Sequence, residues 1–489
     1  MRSLTAYLRS HWLLFTLLAL CIARLWLMPL PSSFWTDEFG TAFIVQRPAD
    51  PSLEAVPQLP VSIYYALPRA VHKLFGFSEA GYRLPSVLLM GLALFAVARL
   101  AARLIHPGAA WFSVFACLAL GDLDYYAADA RPYAFGICAA CLTVYFLIRW
   151  LDTGSWKRAV LFVVCGALLW RIQLVFWPFY PVLLAYTLLR LGRRSYTALV
   201  YYLLLAVALL PVAWEALPIL RAAHLHTFAS LPRLRSLPHA LLFEPVAFCF
   251  AVVSIAAFFL KWPLRKPASG SDLALLLMWW LWMPLCLYAF SRASGTVLFV
   301  PRYFSPVLPG IALVITAAVA VCLPHHLWKR AAALLALAAL ISQGNWRSVW
   351  FDHTQENWKQ AASDADLAVE SDMPVIAVSP FIEAQPPVWT PQYKLPGFLY
   401  APWFVYPVRG RVYPFPFMRG PESEAYAASL VTEVLSKRSR FMVYGAGRNT
   451  AGWIGWFIKR PEFAGWQVTQ GGTGVVAFTL FEGFHYPNP

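Results

Sequence analysis

The chain has 489 residues, 60% of them hydrophobic and only 13% charged, with a mean hydropathy of +0.58. That composition cannot wet the surface of a soluble globular protein, so it implies a membrane protein. The net charge of +15 does not point to nucleic acid, because residues 345–489 hold 12 Lys+Arg against 12 Asp+Glu and the whole excess lies in the apolar part of the chain.

The apolar residues come in blocks of about 18 to 22, the helix length that crosses about 30 Å of hydrocarbon, whereas barrel strands would be short and alternating. The first block, 11–30, follows Arg2 and Arg9 and imitates a signal peptide, yet it is too long and lacks a small-residue cleavage site before "PSSFW". It reads as a retained first span. Further spans are expected at 84–105, 108–121, 133–150, 158–171, 172–190, 196–217, 238–260, 272–290, 304–323 and 328–343, about eleven in all. All 8 cysteines fall inside these blocks and read as small core residues; the Cys138 and Cys141 pair has no second pair or histidine cluster to make it a metal site.

Basic residues set the orientation. Arg2, Arg9, Arg103, Lys157, Arg158, Arg190, Arg193, Arg194, Lys261, Arg265, Lys266, Lys329 and Arg330 fall on one side, which is therefore cytoplasmic together with the N-terminus. The other side receives the loop 31–83, the short loop 122–132, the loop 218–237, the stretch 291–303 and the C-terminal segment. The expected domains are thus a transmembrane part, 1–344, with its outer loop 31–83, and an extracytoplasmic α/β domain, 345–489. In the outer loop, Ile63, Tyr64, Leu67, Val71, Leu74 and Phe75 recur at helical spacing while Arg69, His72 and Lys73 share another face. That is the pattern of a helix lying in the membrane interface or packed on the bundle.

The C-terminal segment reads as a helix "ENWKQAASDADLAVE", a strand "PVIAVSP", a helix "ESEAYAASLVTEVLSKR", and strands "RFMVYGAG" and "GVVAFTLFE". The "YGAGRNTAG" after a strand reads as a plain turn rather than a dinucleotide loop.

Charge inside a membrane is costly, so charged groups at span ends are candidates for function. On the outer side they form a set: Asp37 and Glu38 after span one, Arg83 opening span two, Asp122, Asp124, Asp129 and Arg131 between spans three and four, Arg171 between spans five and six, and Arg302 opening span ten. Carboxylates and arginines at one depth suit the transfer of a sugar from a lipid phosphate. One group takes the proton of the attacking hydroxyl, and the planar guanidinium holds the leaving phosphate. The plain alternative is that the arginines bind lipid headgroups or pair with the acids.

Four segments in order, "WTDEFGTA", "YRLPSVLLMGLALFAVARLAARL", "YYAADARPYAF" and "PRYFSPVLPGIALV", resemble the multi-span GT-C glycosyltransferases, with "ENWKQAA" resembling the usual opening of their outer domain. These include the protein O-mannosyltransferases and the bacterial transferases that modify lipid A and lipopolysaccharide core from polyprenyl-phosphate sugars. The resemblance implies an α-helical polytopic membrane protein of GT-C type that inverts the anomeric centre. Its donor would be a polyprenyl-phosphate sugar and its acceptor an envelope glycan or lipid or, alternatively, a protein hydroxyl. The implied location is a multi-pass inner membrane protein among membrane lipids, acting on the outer face.

The resemblance further implies that Asp37 is the general base, that Glu38 orients the site by pairing with Arg131, and that Tyr133 shapes the pocket. Arg83 and Arg302 become candidates for the leaving phosphate, and Asp129, Arg171, Tyr303 and Lys73 complete the substrate-binding set. No cofactor is required; some relatives bind a divalent metal, which leaves that question open. The chain departs from the pattern where many relatives have Glu in place of Asp129, and where a histidine-tyrosine pair gives way to "WRIQLVFW", with Arg171 or Gln173 as replacements. His224 and His226 read as solvated loop residues rather than metal ligands. A transporter is the rival class, disfavoured because ionisable residues cluster at span ends, Arg24 and Arg99 excepted, and no half of the chain repeats the other.

Overall fold

The computed structural model describes residues 2–222, 231–266, 268–348 and 352–483, so His224 and His226 lie outside the described residues. The chain divides into two compact units. A membrane unit comprises Met1–Leu30, Val61–Ala66 and Arg83–Phe351; a mixed unit comprises Pro31–Pro60, Leu67–Tyr82 and Asp352–Pro489. The outer loop, assigned from sequence to the transmembrane part, thus folds largely with the C-terminal segment.

Among the described residues of the membrane unit, seven helices are long and apolar enough to cross a membrane, and the bent pair Leu234–Ala240 and Phe243–Phe259 makes an eighth. The other three expected blocks form shorter helices of 10, 17 and 16 residues: Ala109–Leu118, Trp156–Ile172 and Trp328–Gln343. At 1.5 Å per residue the shortest is about 15 Å long, half of a hydrocarbon core. It ends because Ala119 and Leu120 lead directly into a new helix, Gly121–Ala127.

All but one of the residues of helix Leu308–Ala320 are buried. The helix packs against Gly270–Ser294 at Gly310, where an added Cβ would come within 2.8 Å of Trp279. The Trp279 indole in turn donates to the Pro306 carbonyl at 2.7 Å, which fixes the turn Pro301–Val307 that carries Arg302.

At one end of the unit, Asp152 accepts from Arg103 at 2.7 and 2.8 Å and from Arg190 at 2.9 Å, while Arg190 also lies 3.5 Å from Asp272. Four helix ends are joined there, and the arginines are two of those that the sequence places on one side. Arg24, an exception in the sequence, is buried and donates to the carbonyls of Gly344, Asn345 and Ser348 at 2.6 to 2.8 Å. It satisfies carbonyls beyond the last turn of Trp328–Gln343, so the charge is bonded rather than left bare in an apolar setting.

The mixed unit is built on a five-stranded sheet of β1 (Pro374–Val378), β2 (Arg411–Phe415), β3 (Arg440–Ala446), β4 (Gln467–Thr473) and β5 (Val476–Glu482), in the order β2-β1-β3-β5-β4. β1 pairs parallel with β2 and β3, while β5 pairs antiparallel with β3 and β4. Helices Pro421–Glu433 and Gly447–Ile458 cover one face through Leu430, Val431, Trp453 and Phe457, packed on Phe415, Phe441 and Phe481. The plain turn expected at "YGAGRNTAG" is instead a strand end running directly into that second helix. Gly447, at φ +70°, makes the change of direction without a Cβ penalty. In the outer loop, helix Ala66–Phe75 forms as expected and leaves Leu74 and Phe75 exposed beside Lys73.

Candidate active site

In the mixed unit the acid pair opens helix Thr36–Gln46. Its N-terminal neighbour is Trp35, whose side chain offers no oxygen to accept the free amides of a first turn. Two carboxylates take that task. Glu38, wholly buried, accepts from the Trp35 amide at 3.3 Å, and Glu356 accepts from both the Thr36 amide (2.8 Å) and the Thr36 hydroxyl (2.7 Å) through one oxygen, Oε2. The Trp358 indole donates to the same oxygen at 3.0 Å.

Serines of the outer loop tie the two segments further: Ser32 Oγ accepts from the His353 amide at 3.0 Å and Ser33 Oγ from the Lys359 amide at 3.1 Å. A ring nitrogen of His353 comes within 4.8 Å of a Glu38 carboxylate oxygen. Asp37 is half-buried, one residue from these braces, at the helix end that favours negative charge. Lys73 is exposed in the last turn of Ala66–Phe75.

A second polar group, beside Tyr126, lies in the membrane unit. The short helix Gly121–Ala127 brings Tyr126 to 4.9 Å from the ring of Tyr133, which opens helix Tyr133–Thr153. Burial pushes the Tyr126 hydroxyl up, Asp122, Tyr133 and Asp129 push it the same way, and Arg302 opposes them. These four side chains therefore bear electrostatically on one phenol. Asp129 is fully buried, and its carbonyl accepts from Ser86 Oγ at 2.6 Å, which ties the loop to the second span. Arg131 is buried two residues on. Asp124 accepts from the Trp26 indole at 2.7 Å, and burial holds its carboxyl well above the ordinary range despite that bond. Burial also raises Asp122, with His239 opposing.

Asp122, Tyr126 and His239 stand at a cavity of about 450 Å³, counting its open mouth, whose remaining lining is apolar: Leu242, Phe304, Val307, Leu308 and Ile311 among others.

The other sequence candidates occupy different settings. Arg83 is wholly buried and donates to the carbonyls of Pro29 and Leu30 at 3.2 and 2.9 Å, so it holds the end of the first span. Arg171 is half-buried in the last turn of Trp156–Ile172, where the Ile172 carbonyl accepts from Ser62 Oγ. Arg302 and Tyr303 are half-buried, with the guanidinium 5.8 Å from the ring centre. Sequence reasoning does not single out Tyr126, His239, His353 or the task of Glu356. The "ENW" run reads only as a domain opening, and nothing local says that its glutamate caps a helix 320 residues earlier.

The family model of dolichyl-phosphate-mannose-protein mannosyltransferases matches residues 60–215. No curated protein matches the chain by sequence. The crystal structure of apo ArnT from Cupriavidus metallidurans superposes with a TM-score of 0.58 at 12% identity, over 97% of this chain and 98% of that one. The same protein bound to undecaprenyl phosphate gives 0.57 at 14% identity, over 95% and 97%. End to end, then, this multi-pass membrane chain has the GT-C fold of that transferase, and about a third of it matches the mannosyltransferase family model.

Proposed function

We propose that the chain is an inverting glycosyltransferase that moves one sugar from a polyprenyl-phosphate donor to an envelope glycan or lipid on the outer face of the inner membrane. The observation that carries this reading is the Asp37-Glu38 pair at a helix start, with Glu38 buried and bonded and Asp37 left partly accessible. Asp37 takes the proton of the acceptor hydroxyl as that oxygen attacks the anomeric carbon. The carbon–oxygen bond to phosphate breaks, and polyprenyl phosphate departs with the electron pair. Arg302 and Arg131 supply fixed positive charge to the leaving phosphate. The scheme needs no cofactor.

The apolar cavity beside Tyr126 suits an isoprenoid chain, and a solved structure of the same fold holds undecaprenyl phosphate. The matched family model favours a second reading of the acceptor, a protein hydroxyl, with the same donor class.

The test is release of polyprenyl phosphate from polyprenyl-phosphate sugars in detergent with crude envelope acceptor, comparing the native chain with Asp37→Asn. Turnover that is lost in the variant with donor binding intact, and a product of inverted anomeric configuration, are expected. A retained configuration, or equal turnover in both proteins, overturns the role of Asp37. A chain that moves donor across vesicles without forming a glycosidic product is a transporter.

A further inference from the structure

A helix that starts at Thr36 with tryptophan before it has no capping oxygen at that position; Glu38 reaches back to the Trp35 amide and leaves the Thr36 amide to another partner. The missing cap comes from far along the chain. Glu356 Oε2 receives the Thr36 amide, the Thr36 hydroxyl and the Trp358 indole at 2.8, 2.7 and 3.0 Å. Three bonds of this length converging on one oxygen hold the segment in a defined direction.

Glu356 is itself held on the sheet. It forms an isolated antiparallel bridge with Gly474, and the neighbouring Gln355 carbonyl accepts from the Val475 amide at 3.3 Å, at the turn between β4 and β5. Gly474 sits at φ +67°, and a Cβ there would run into the Gln355 carbonyl, so the turn is shaped to receive this segment. Trp358 is fully buried and packs edge-on against Phe39 of the same helix at 5.7 Å. Glu356 therefore ties the helix start to the β4–β5 turn, beside the braces from Glu38, Ser32 and Ser33.

We propose that Glu356 is a positioning residue for Asp37: it sets the start of helix Thr36–Gln46 and so the line along which Asp37 meets the acceptor hydroxyl. This rests on the reading of Asp37 as base given above. Glu356 touches no substrate in this scheme; it acts through the amide and the hydroxyl of Thr36. Misplacing a reacting group by about 1 Å can cost about 100-fold in rate, so the effect belongs in kcat.

The experiment measures kcat and donor KM for Glu356→Ala, Glu356→Gln, Thr36→Val and the double variant Thr36→Val/Glu356→Ala, with thermal melting of each purified protein and Asp37→Asn in parallel. A kcat loss of about 10- to 100-fold in Glu356→Ala at unchanged donor KM is expected. Glu356→Gln, which keeps an acceptor oxygen, should recover most of it. Thr36→Val loses only the hydroxyl bond and should fall several-fold, and the double variant should be no worse than Glu356→Ala because both act through one contact.

Native kcat in Glu356→Ala, a Gln variant as impaired as Ala, or additive losses in the double variant each overturn the proposal. Should Glu356→Ala melt too low to assay, Thr36→Val and Glu356→Gln still decide it: native kcat in Thr36→Val, or loss in Glu356→Gln, refutes it. If Asp37→Asn is inactive while Glu356→Ala is native, the positioning role alone fails. If Asp37→Asn is active, the reading beneath it fails.

Discussion

Two acidic groups in this chain have similar composition and opposite physical states. Asp37 and Glu38 begin a helix whose start is braced by outside partners, with Asp37 partly open to solvent. Asp124 and Asp129 belong to a short helix and loop in the membrane unit; both are buried, and burial lifts the Asp124 carboxyl well above its ordinary range, whereas Asp122 beside them is exposed. A buried carboxyl is closed to an incoming hydroxyl and its charged form is disfavoured, whereas a partly exposed one can be reached. The difference separates a group suited to chemistry from one suited to holding a loop in place, although in sequence both are acids after an apolar block.

The contrast breaks most directly on paired substitutions. Asp37→Asn should lower kcat by about 100- to 10,000-fold, the usual range for losing a general base. Asp124→Asn, which can still accept from Trp26, should stay within a few-fold of native. Steady-state release of polyprenyl phosphate measures both, and a reversed order would move the chemistry to the buried group.

The cation beside the buried group comes next. Arg302 is the one arginine that bears on Tyr126 among the interactions that shift its hydroxyl. Arg302→Gln should cost about 100-fold in kcat, and Arg302→Lys less, because lysine keeps the charge but loses the planar fork. Arg83→Lys should act differently. Arg83 is bonded to the Pro29 and Leu30 carbonyls, so its loss should show in melting temperature before it shows in kcat.

Much of the fold is legible in the sequence itself. Each apolar block announces its helix because hydrophobicity is counted locally, and β1, β3 and β5 carry continuous apolar runs because they lie inside the sheet. The two strands that the residue pattern does not reveal, β2 and β4, are its edges. β2 contains Pro414, which an edge tolerates, and β4, "QVTQGGT", is polar and mostly exposed. Periodicity is weak where only one side of a strand is paired.

The candidate site divides in the same way. Asp37, Arg131 and Arg302 stand out as charges beside apolar blocks. The bonds from Glu356 to Thr36, by contrast, span 320 residues and leave no local trace. Arg83 has the sequence signature of a phosphate ligand, and only its bonds to carbonyls show what it holds.

The cavity sharpens the comparison at smaller scale. Ala240 lines it near His239, and Ala240→Trp would fill the apolar space that the proposed reading gives to the donor's isoprenoid chain. The donor KM should rise about tenfold for a long polyprenyl donor, the loss of roughly one to two buried methylenes' worth of binding. A short-chain water-soluble analogue should bind as before. Equal effects on both donors would show that the substitution disturbs the polar group rather than the space beside it.

The smallest expected effect is a shift of stability with pH at Asp124. An acid whose pKa is raised in the fold binds more protons folded than unfolded, so its contribution to stability falls as the pH rises from the ordinary carboxylate range toward the raised value. Asp124→Asn keeps an acceptor for the Trp26 indole and removes the titration. The variant should therefore melt higher than the native protein at neutral pH, and the gap should close as the pH is lowered toward about 4, where the unfolded aspartate is protonated as well. Thermal melting in one detergent across that range measures it. A gap that widens on acidification would mean that Asp124 is held ionised, and the contrast with Asp37 would then lose its physical basis.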